Sequence, residues 1–183
     1  MAATDRRVRR TQHLLARALV EMTLEKGYDA VTIRDITERA DVGYATFFRH
    51  YHDKDGLLHD ASDVVVSDLT ELLRSPAVAS EEHGMGTALF TYVREHQAIC
   101  RLLLSSRGPV TLTHHVIESG AMRMMSYQPH SDGLIPDDLE AYLFVSSSVA
   151  LIQWWLDRDM PYSADRMGAI YDEMIVRRGQ HKA

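Results

Sequence analysis

Cysteine is almost missing from this 183-residue chain, where Cys100 stands alone. An intramolecular disulfide framework is therefore excluded, and the sequence predicts a reducing, cytoplasmic setting. No apolar run approaches the roughly 18 residues needed to span a bilayer. The basic start at Arg6, Arg7, Arg9 and Arg10 has no apolar segment behind it to make a signal peptide, and no membrane partner is expected. Internal repeats and low-complexity tracts are missing too, and no Gly/Ser/Pro-rich linker separates residues 53–73 from what precedes them. Strand signals are scarce, because the β-branched pairs Val31-Thr32 and Val64-Val65 sit inside helical patterns. No nucleophile motif or paired-carboxylate arrangement accompanies Cys100 or Ser105, which argues against an enzyme. His96 and Cys100 stand four apart, but spacing supplies no third ligand, so neither a metal site nor a cofactor is expected. What remains is an ordinary globular composition, 45% apolar and 25% charged.

Positive charge is in short supply as well, with a net of −6 that would repel phosphate. It is unevenly spread. Residues 1–58 carry ten Lys/Arg against nine Asp/Glu, whereas residues 59–183 carry ten against seventeen. Whatever affinity for anions exists belongs to the N-terminal third, much of it to the Arg6–Arg10 cluster.

Periodicity predicts an all-α chain. A first helix runs from about Asp5 to Lys26, with Val8, Leu15, Ala18, Leu19 and Met22 on one face and Gly27 as its stop. Thr32 opens a second helix, with Asp35 completing a capping box and Ile33, Ile36 and Ala40 forming the inner stripe. After the break at Asp41-Val42-Gly43 a short third helix spans Tyr44 to about His50. Asp53-Lys54-Asp55 caps a fourth that continues towards Leu73. Further helices are expected at about Glu82–Leu104, Val110–Ser126, Pro136–Asp157 and Ser163–Arg178. The breaks between them fall at Ser105–Pro109, Tyr127–Ile135 and Met160-Pro161. These patterns give two domains, residues 1–58 and 59–183.

The segment Thr32–Tyr51 describes two short helices joined by a tight turn. Val42 is placed between them, and Phe47 and Tyr51 are expected to pack back on the first helix. The outer face of the second then presents Tyr44, Thr46, Phe48, Arg49 and His50, which suits a major groove with its N-terminal residues nearest the bases. A plain αα-corner accounts for one or two of these aromatics, but a helix of two turns cannot bury so many aromatic and basic residues.

On these residues the chain resembles the N-terminal domain of the TetR family of transcriptional regulators. Thr32, Ile33, Ile36, Ala40, Val42, Phe47, His50, Lys54, Asp55 and Leu57 match the family pattern, with Tyr51 as an aromatic equivalent, over about residues 8–58. The resemblance implies phosphate contacts from Thr32 and Lys54, base contacts from Tyr44 and Thr46, and His50 near the backbone or groove floor. Ala45, Phe48 and Arg49 complete the expected DNA-binding set. Four positions depart from the pattern. Asp41 stands for the turn glycine, tolerating a left-handed backbone while adding negative charge. Gly43 replaces a better cap. Ala45 replaces glycine or proline, and Phe48 lacks the hydroxyl of the usual tyrosine.

The resemblance also implies a C-terminal helical domain for dimerisation and effector binding. Residues about 136–178 are the expected homodimer surface, with small residues at Ser146-Ser147-Ser148-Val149-Ala150 and bulk at Tyr142, Leu143, Trp154 and Ile170. The segment Phe90–Ser106 with Gln153-Trp154-Trp155-Leu156 and Met160 is loosely similar to regulators of dihydroxyacetone kinase operons. Phe90, Tyr92, His96, Cys100, His115, Met122, Met125 and Trp154 are candidate effector-pocket residues, or simply core. The implied function is repression at a palindromic double-stranded operator, relieved by a small-molecule effector. The alternative is a ligand-independent regulator controlled by a protein partner.

Overall fold

The structure is a computed structural model and describes residues 2–79, 84–104, 110–127 and 134–176. Among these residues the regular structure is helical, without strands. The predicted helix start at Glu82, the break at Ser105–Pro109, most of the Tyr127–Ile135 break and the end at Arg178 lie outside the described residues.

The chain divides into two compact units, Met1–Val65 and Val66–Ala183. The division falls inside a helix, later than the expected boundary after Leu58. In the first unit α1 (Ala2–Lys26) starts three residues earlier than expected and buries Leu15, Leu19 and Met22. Gly27 ends it at φ 78°, a backbone open to glycine at no steric cost, and its N–H still reaches the Thr23 carbonyl at 2.9 Å. A 3₁₀ turn (Tyr28–Ala30) leads to α2 (Ile33–Arg39), which packs on α1. The capping box forms: the Asp35 N–H donates to Thr32 Oγ1 at 3.2 Å, and Asp35 Oδ2 accepts from the Thr32 N–H at 2.8 Å.

Helix α3 (Tyr44–Phe47) is shorter than its expected Tyr44–His50 span. Gly43 offers no side chain to hold its start, and its end tightens into three-residue steps, with Arg49 N–H on the Thr46 carbonyl at 3.2 Å and His50 N–H on Phe47 at 2.9 Å. A second 3₁₀ turn (Asp55–Leu57) precedes α4 (Leu58–Leu73). Asp53 opens that turn by accepting the Gly56 N–H at 2.8 Å.

In the second unit α5 (Pro76–Ala79) and α6 (Gly84–Glu95) precede α7 (Gln97–Leu104), where one continuous helix was expected. The interruption is at His96. Its ring Nδ1 lies 2.9 Å from the Tyr92 carbonyl that also takes its backbone N–H, and its ring stacks on Tyr92 at 4.0 Å. A side chain that competes for a helix carbonyl loosens the turn it follows. Then come α8 (Val110–Met125), α9 (Asp137–Asp157), α10 (Ala164–Tyr171) and a π-turn (Asp172–Val176).

Helix α6 packs on α10, and α8 along α9. At the first crossing Gly86 meets Gly168 backbone to backbone, and the Gly86 N–H donates to Asp172 Oδ1 at 3.0 Å. Around it lie Phe90, Trp155 and Tyr171, all fully buried, with Phe90 edge-on to Trp155 at 5.1 Å. The end of α9 turns through Asp159 and Met160, both at positive φ, and Arg101 from α7 covers the Leu156 carbonyl at 2.6 Å. Among the described residues α9 is long and apolar enough to cross a bilayer by length and composition, although Glu140, Ser146–Ser148 and Gln153 interrupt its apolar run. Its apolar character comes from serving two faces, one buried in the unit and one exposed.

Candidate nucleic-acid interface

The reading head is assembled from residues that hold α2 and α3 on α1. Arg39, near the end of α2, reaches two carboxylates of α1, Glu21 at 3.2 Å and Glu25 at 2.8 Å. The Arg39 hydrogen bond holds the Glu25 carboxyl below its usual range. Lys26 pairs with Asp35 at 2.7 Å, and together with the Thr32 bonds it keeps the Asp35 carboxyl well below the ordinary carboxylate range. Phe47 is fully buried and Tyr51 nearly so, the latter hydrogen-bonded to Asp60 and Gln12. Both pack inward as expected. Val42 is half-buried, so it closes the α2–α3 corner from the edge. Asp41 takes the left-handed conformation at φ 51°, which its short polar side chain tolerates.

What this scaffold leaves outside is aromatic and basic. Tyr44 is 55% exposed and Phe48 48%, their rings edge-to-face at 5.3 Å. Ala45 and Arg49 are exposed beside them. Thr46 and His50 are half-buried, His50 with its ring against Tyr51 at 6.3 Å, so they flank this surface and do not form its centre. Arg34, Thr37, Glu38, Asp41, Val42, Gly43 and Tyr44 line a cleft of ≈ 850 Å³, which shares Tyr44 with this surface and adds the carboxylates of Glu38 and Asp41.

Two residues expected at phosphate are occupied within the fold. Thr32 is exposed, but its N–H and hydroxyl both bond Asp35. Lys54 is half-buried. Its Nζ donates to the Tyr28 carbonyl at 2.9 Å and the Val31 carbonyl at 3.1 Å, and lies 4.2 Å from the centre of the Tyr28 ring. Tyr28 in turn bonds Asp55, and burial first, then that bond, pushes its phenol well above the ordinary range. Lys54 therefore ties the start of α4 to the α1–α2 connection, a role that spacing alone could not distinguish from an outward-pointing cation. Lys54→Met keeps the stem over Tyr28 but removes two charge-assisted hydrogen bonds. The Tyr28 carbonyl keeps the Val31 N–H at 3.1 Å while the Val31 carbonyl loses its ammonium partner, so the change is expected to cost about 2 kcal/mol. Thermal melting should fall by about 4–8 °C. An unchanged melt with uniformly weaker DNA binding would return Lys54 to the phosphate.

The family model described as bacterial regulatory proteins, tetR family, matches residues 15–61, across this head. A second, described as transcriptional regulator C-terminal region, matches residues 82–177, more than half of the chain. The chain belongs to the TetR family.

TetR-family relatives cover most of it. The HTH-type transcriptional repressor Rv3405c of Mycobacterium tuberculosis (strain ATCC 25618 / H37Rv) is 29% identical over 164 residues, 84% of this chain and 78% of that protein. The uncharacterized HTH-type transcriptional regulator YxbF of Bacillus subtilis (strain 168) is 26% identical over 165 residues, 84% of this chain but only 41% of its own length. Among solved structures the dihydroxyacetone kinase operon activator DhaS shares the fold with a TM-score of 0.53 at 13% identity, over 93% of this chain and 97% of that one.

The TetR-type C-terminal unit sorts the expected effector residues into three groups. Phe90, Tyr92 and Cys100 are buried, and His96, His115 and Met125 are half-buried. Met122 is 60% exposed on α8, and Trp154 is 37% exposed on α9, where it stacks on Tyr162 at 6.3 Å. These two are surface residues and do not line the protomer's interior. Burial pushes the Cys100 thiol up to about 12, so the nucleophilic thiolate is not formed at neutral pH.

The expected dimer residues divide as well. Ser148 and Val149 face inward, with Ser148 Oγ 3.1 Å from the Tyr171 hydroxyl. Ser147 and Ala150 are exposed, and Leu139, Tyr142, Leu143 and Trp154 extend them into one apolar stripe at steps of three and four. Leu139 sits in the acidic first turn of α9 and continues the exposed stripe through its i, i+4 relation to Leu143.

Proposed function

We propose that this chain is a homodimeric repressor whose two heads enter successive major grooves of a palindromic operator, and whose C-terminal unit releases DNA on binding a small-molecule effector. The observation that carries the reading is the α3 surface, where Tyr44, Ala45, Phe48 and Arg49 stand exposed while Lys26, Arg39 and Lys54 are taken up by pairs within the head. A single short helix reads too few bases to be specific, which calls for two heads. The α9 stripe supplies the joint, and its small residues permit a close approach of the partner helix.

Repression is the direction named for Rv3405c, while DhaS is named an activator. Residues Phe90, Tyr92, His96, Cys100, His115 and Met125 are the proposed effector set. The packing of Phe90 against Trp155 and Tyr171 favours a second reading, a regulator without a ligand that answers to a protein partner, because an aromatic already in contact leaves less room for a guest.

A Tyr44→Ala/Thr46→Ala double variant tests the orientation of α3. It is expected to change preference at particular base positions in duplexes enriched from a random pool, with each lost contact costing about 1–3 kcal/mol. Wild-type selectivity in that variant would refute the assignment. A small-molecule screen read by melting temperature and DNA release on the same protein separates the two modes of control.

A further inference from the structure

We infer that Phe48 and the ring face of Tyr44 form an apolar surface that reads thymine 5-methyl groups, so that operator preference rests on methyls as well as on hydrogen-bonded base edges. The inference rests on the major-groove role of α3. Phe48 carries no polar atom beyond its backbone, so its ring can neither bond a phosphate nor pair with a base edge. Apolar surface is all it offers, and the apolar feature a base pair presents in the major groove is the thymine methyl.

The geometry prepares such a contact. Phe48 is edge-on to the buried Phe47 at 5.3 Å and 75°, and Tyr44 is edge-on to Phe48 at 5.3 Å and 65°. The buried ring thus braces the second, and the second braces the third. Two braced rings lose little rotamer freedom on binding, which lowers the cost of using them. The methyl of Ala45 is exposed on the same short helix, and Arg49 beside Phe48 is exposed with no partner among the described residues. An apolar centre with a cation at its edge matches a base step flanked by phosphate. A second protein would need a broader apolar area than these side chains supply.

The test uses the full-length protein and duplexes it enriches from a random pool, resynthesised with deoxyuridine in place of single thymidines. Uracil pairs as thymine does and lacks only the methyl. Wild type is expected to lose about threefold in affinity at one or more positions, and about tenfold when both half-sites are changed together. In Phe48→Ala or Tyr44→Ala the penalty at the matching position should vanish, while Phe48→Tyr, which keeps the ring, should retain it. Should Phe48→Ala fail to fold by melting, Phe48→Leu and Tyr44→Ala carry the comparison. Enriched duplexes that bind equally well with uracil throughout would overturn the inference and leave the DNA-reading role standing, as would penalties unchanged in both ring variants. A pool from which no duplex is enriched would remove the DNA-reading role, and this inference with it.

Discussion

Gly168→Ala is expected to loosen the whole C-terminal unit. A Cβ at Gly168 would lie 2.5 Å from the Thr87 nitrogen and 2.7 Å from its Cα, and one at Gly86 would lie 2.3 Å from the Gly168 carbonyl oxygen. These neighbours are backbone, so the clash is relieved only by moving α6 away from α10. That displacement opens the contact among Phe90, Trp155 and Tyr171. Alanine brings about 1 kcal/mol of helix propensity in its favour. Overpacking costs about 1–3 kcal/mol when a side chain can yield, and more when it cannot. The net expectation is a loss of about 3 kcal/mol and a melting temperature lower by about 6–12 °C. Gly120→Ala is the control, since its Cβ would meet Val145 Cγ1 at 3.0 Å, the tip of a side chain that can shift. Thermal melts of the two variants should separate widely. If Gly168→Ala melts with wild type, the close crossing is not a feature of the protein in solution.

Leu143→Glu is expected to separate the proposed dimer and with it specific DNA binding. Leu143 is 51% exposed in one chain and lies mid-stripe on α9 between Leu139 and Ser147. At a two-fold interface each substitution acts twice, so two carboxylates would be buried near one another among the uncharged stripe residues Leu139, Tyr142, Ser147 and Ala150. Sedimentation should show monomer at micromolar concentration. Affinity for the enriched duplex should fall about a thousandfold, towards the non-specific level of a single head. The buried fold should remain intact, because Ser148 and Val149 hold the opposite face of the helix. A variant that stays dimeric and keeps its duplex would move the joint off α9, for instance to the exposed Met174 beyond α10.

Much of the first unit could be read from residue order because its determinants are local. The Thr32 capping box spans four residues, and Gly27 and Asp41 mark positive-φ positions through their own conformational preferences. The inward turn of Phe47 and Tyr51 follows from helical spacing against an apolar α1. Lys54 and Thr32 were harder. Each has a side chain suited to phosphate, and only their distance from the Tyr28 and Val31 carbonyls or from Asp35 shows that the fold already uses them.

In the second unit the same limit appears at helix length and helix face. The break at His96 depends on a ring that can fold back on Tyr92, which periodicity does not encode. Helix α9 is apolar all round, so spacing cannot say that Ser148 and Val149 point inward while Leu139, Leu143 and Trp154 point out.

The scarcity of cysteine excluded disulfides without any structure, since the single Cys100 cannot pair within its chain. Sequence alone likewise determined the helical class, the corner at Asp41-Val42-Gly43 and the aromatic-basic composition of α3, because all three follow from short-range sterics and period. Tertiary structure decided which of those aromatic and basic groups are free to meet a partner. Burial and pairing depend on residues far apart in the chain: the carbonyls that take Lys54, the α1 carboxylates that take Arg39, and the packing that hides Phe47 while leaving Tyr44 and Phe48 exposed.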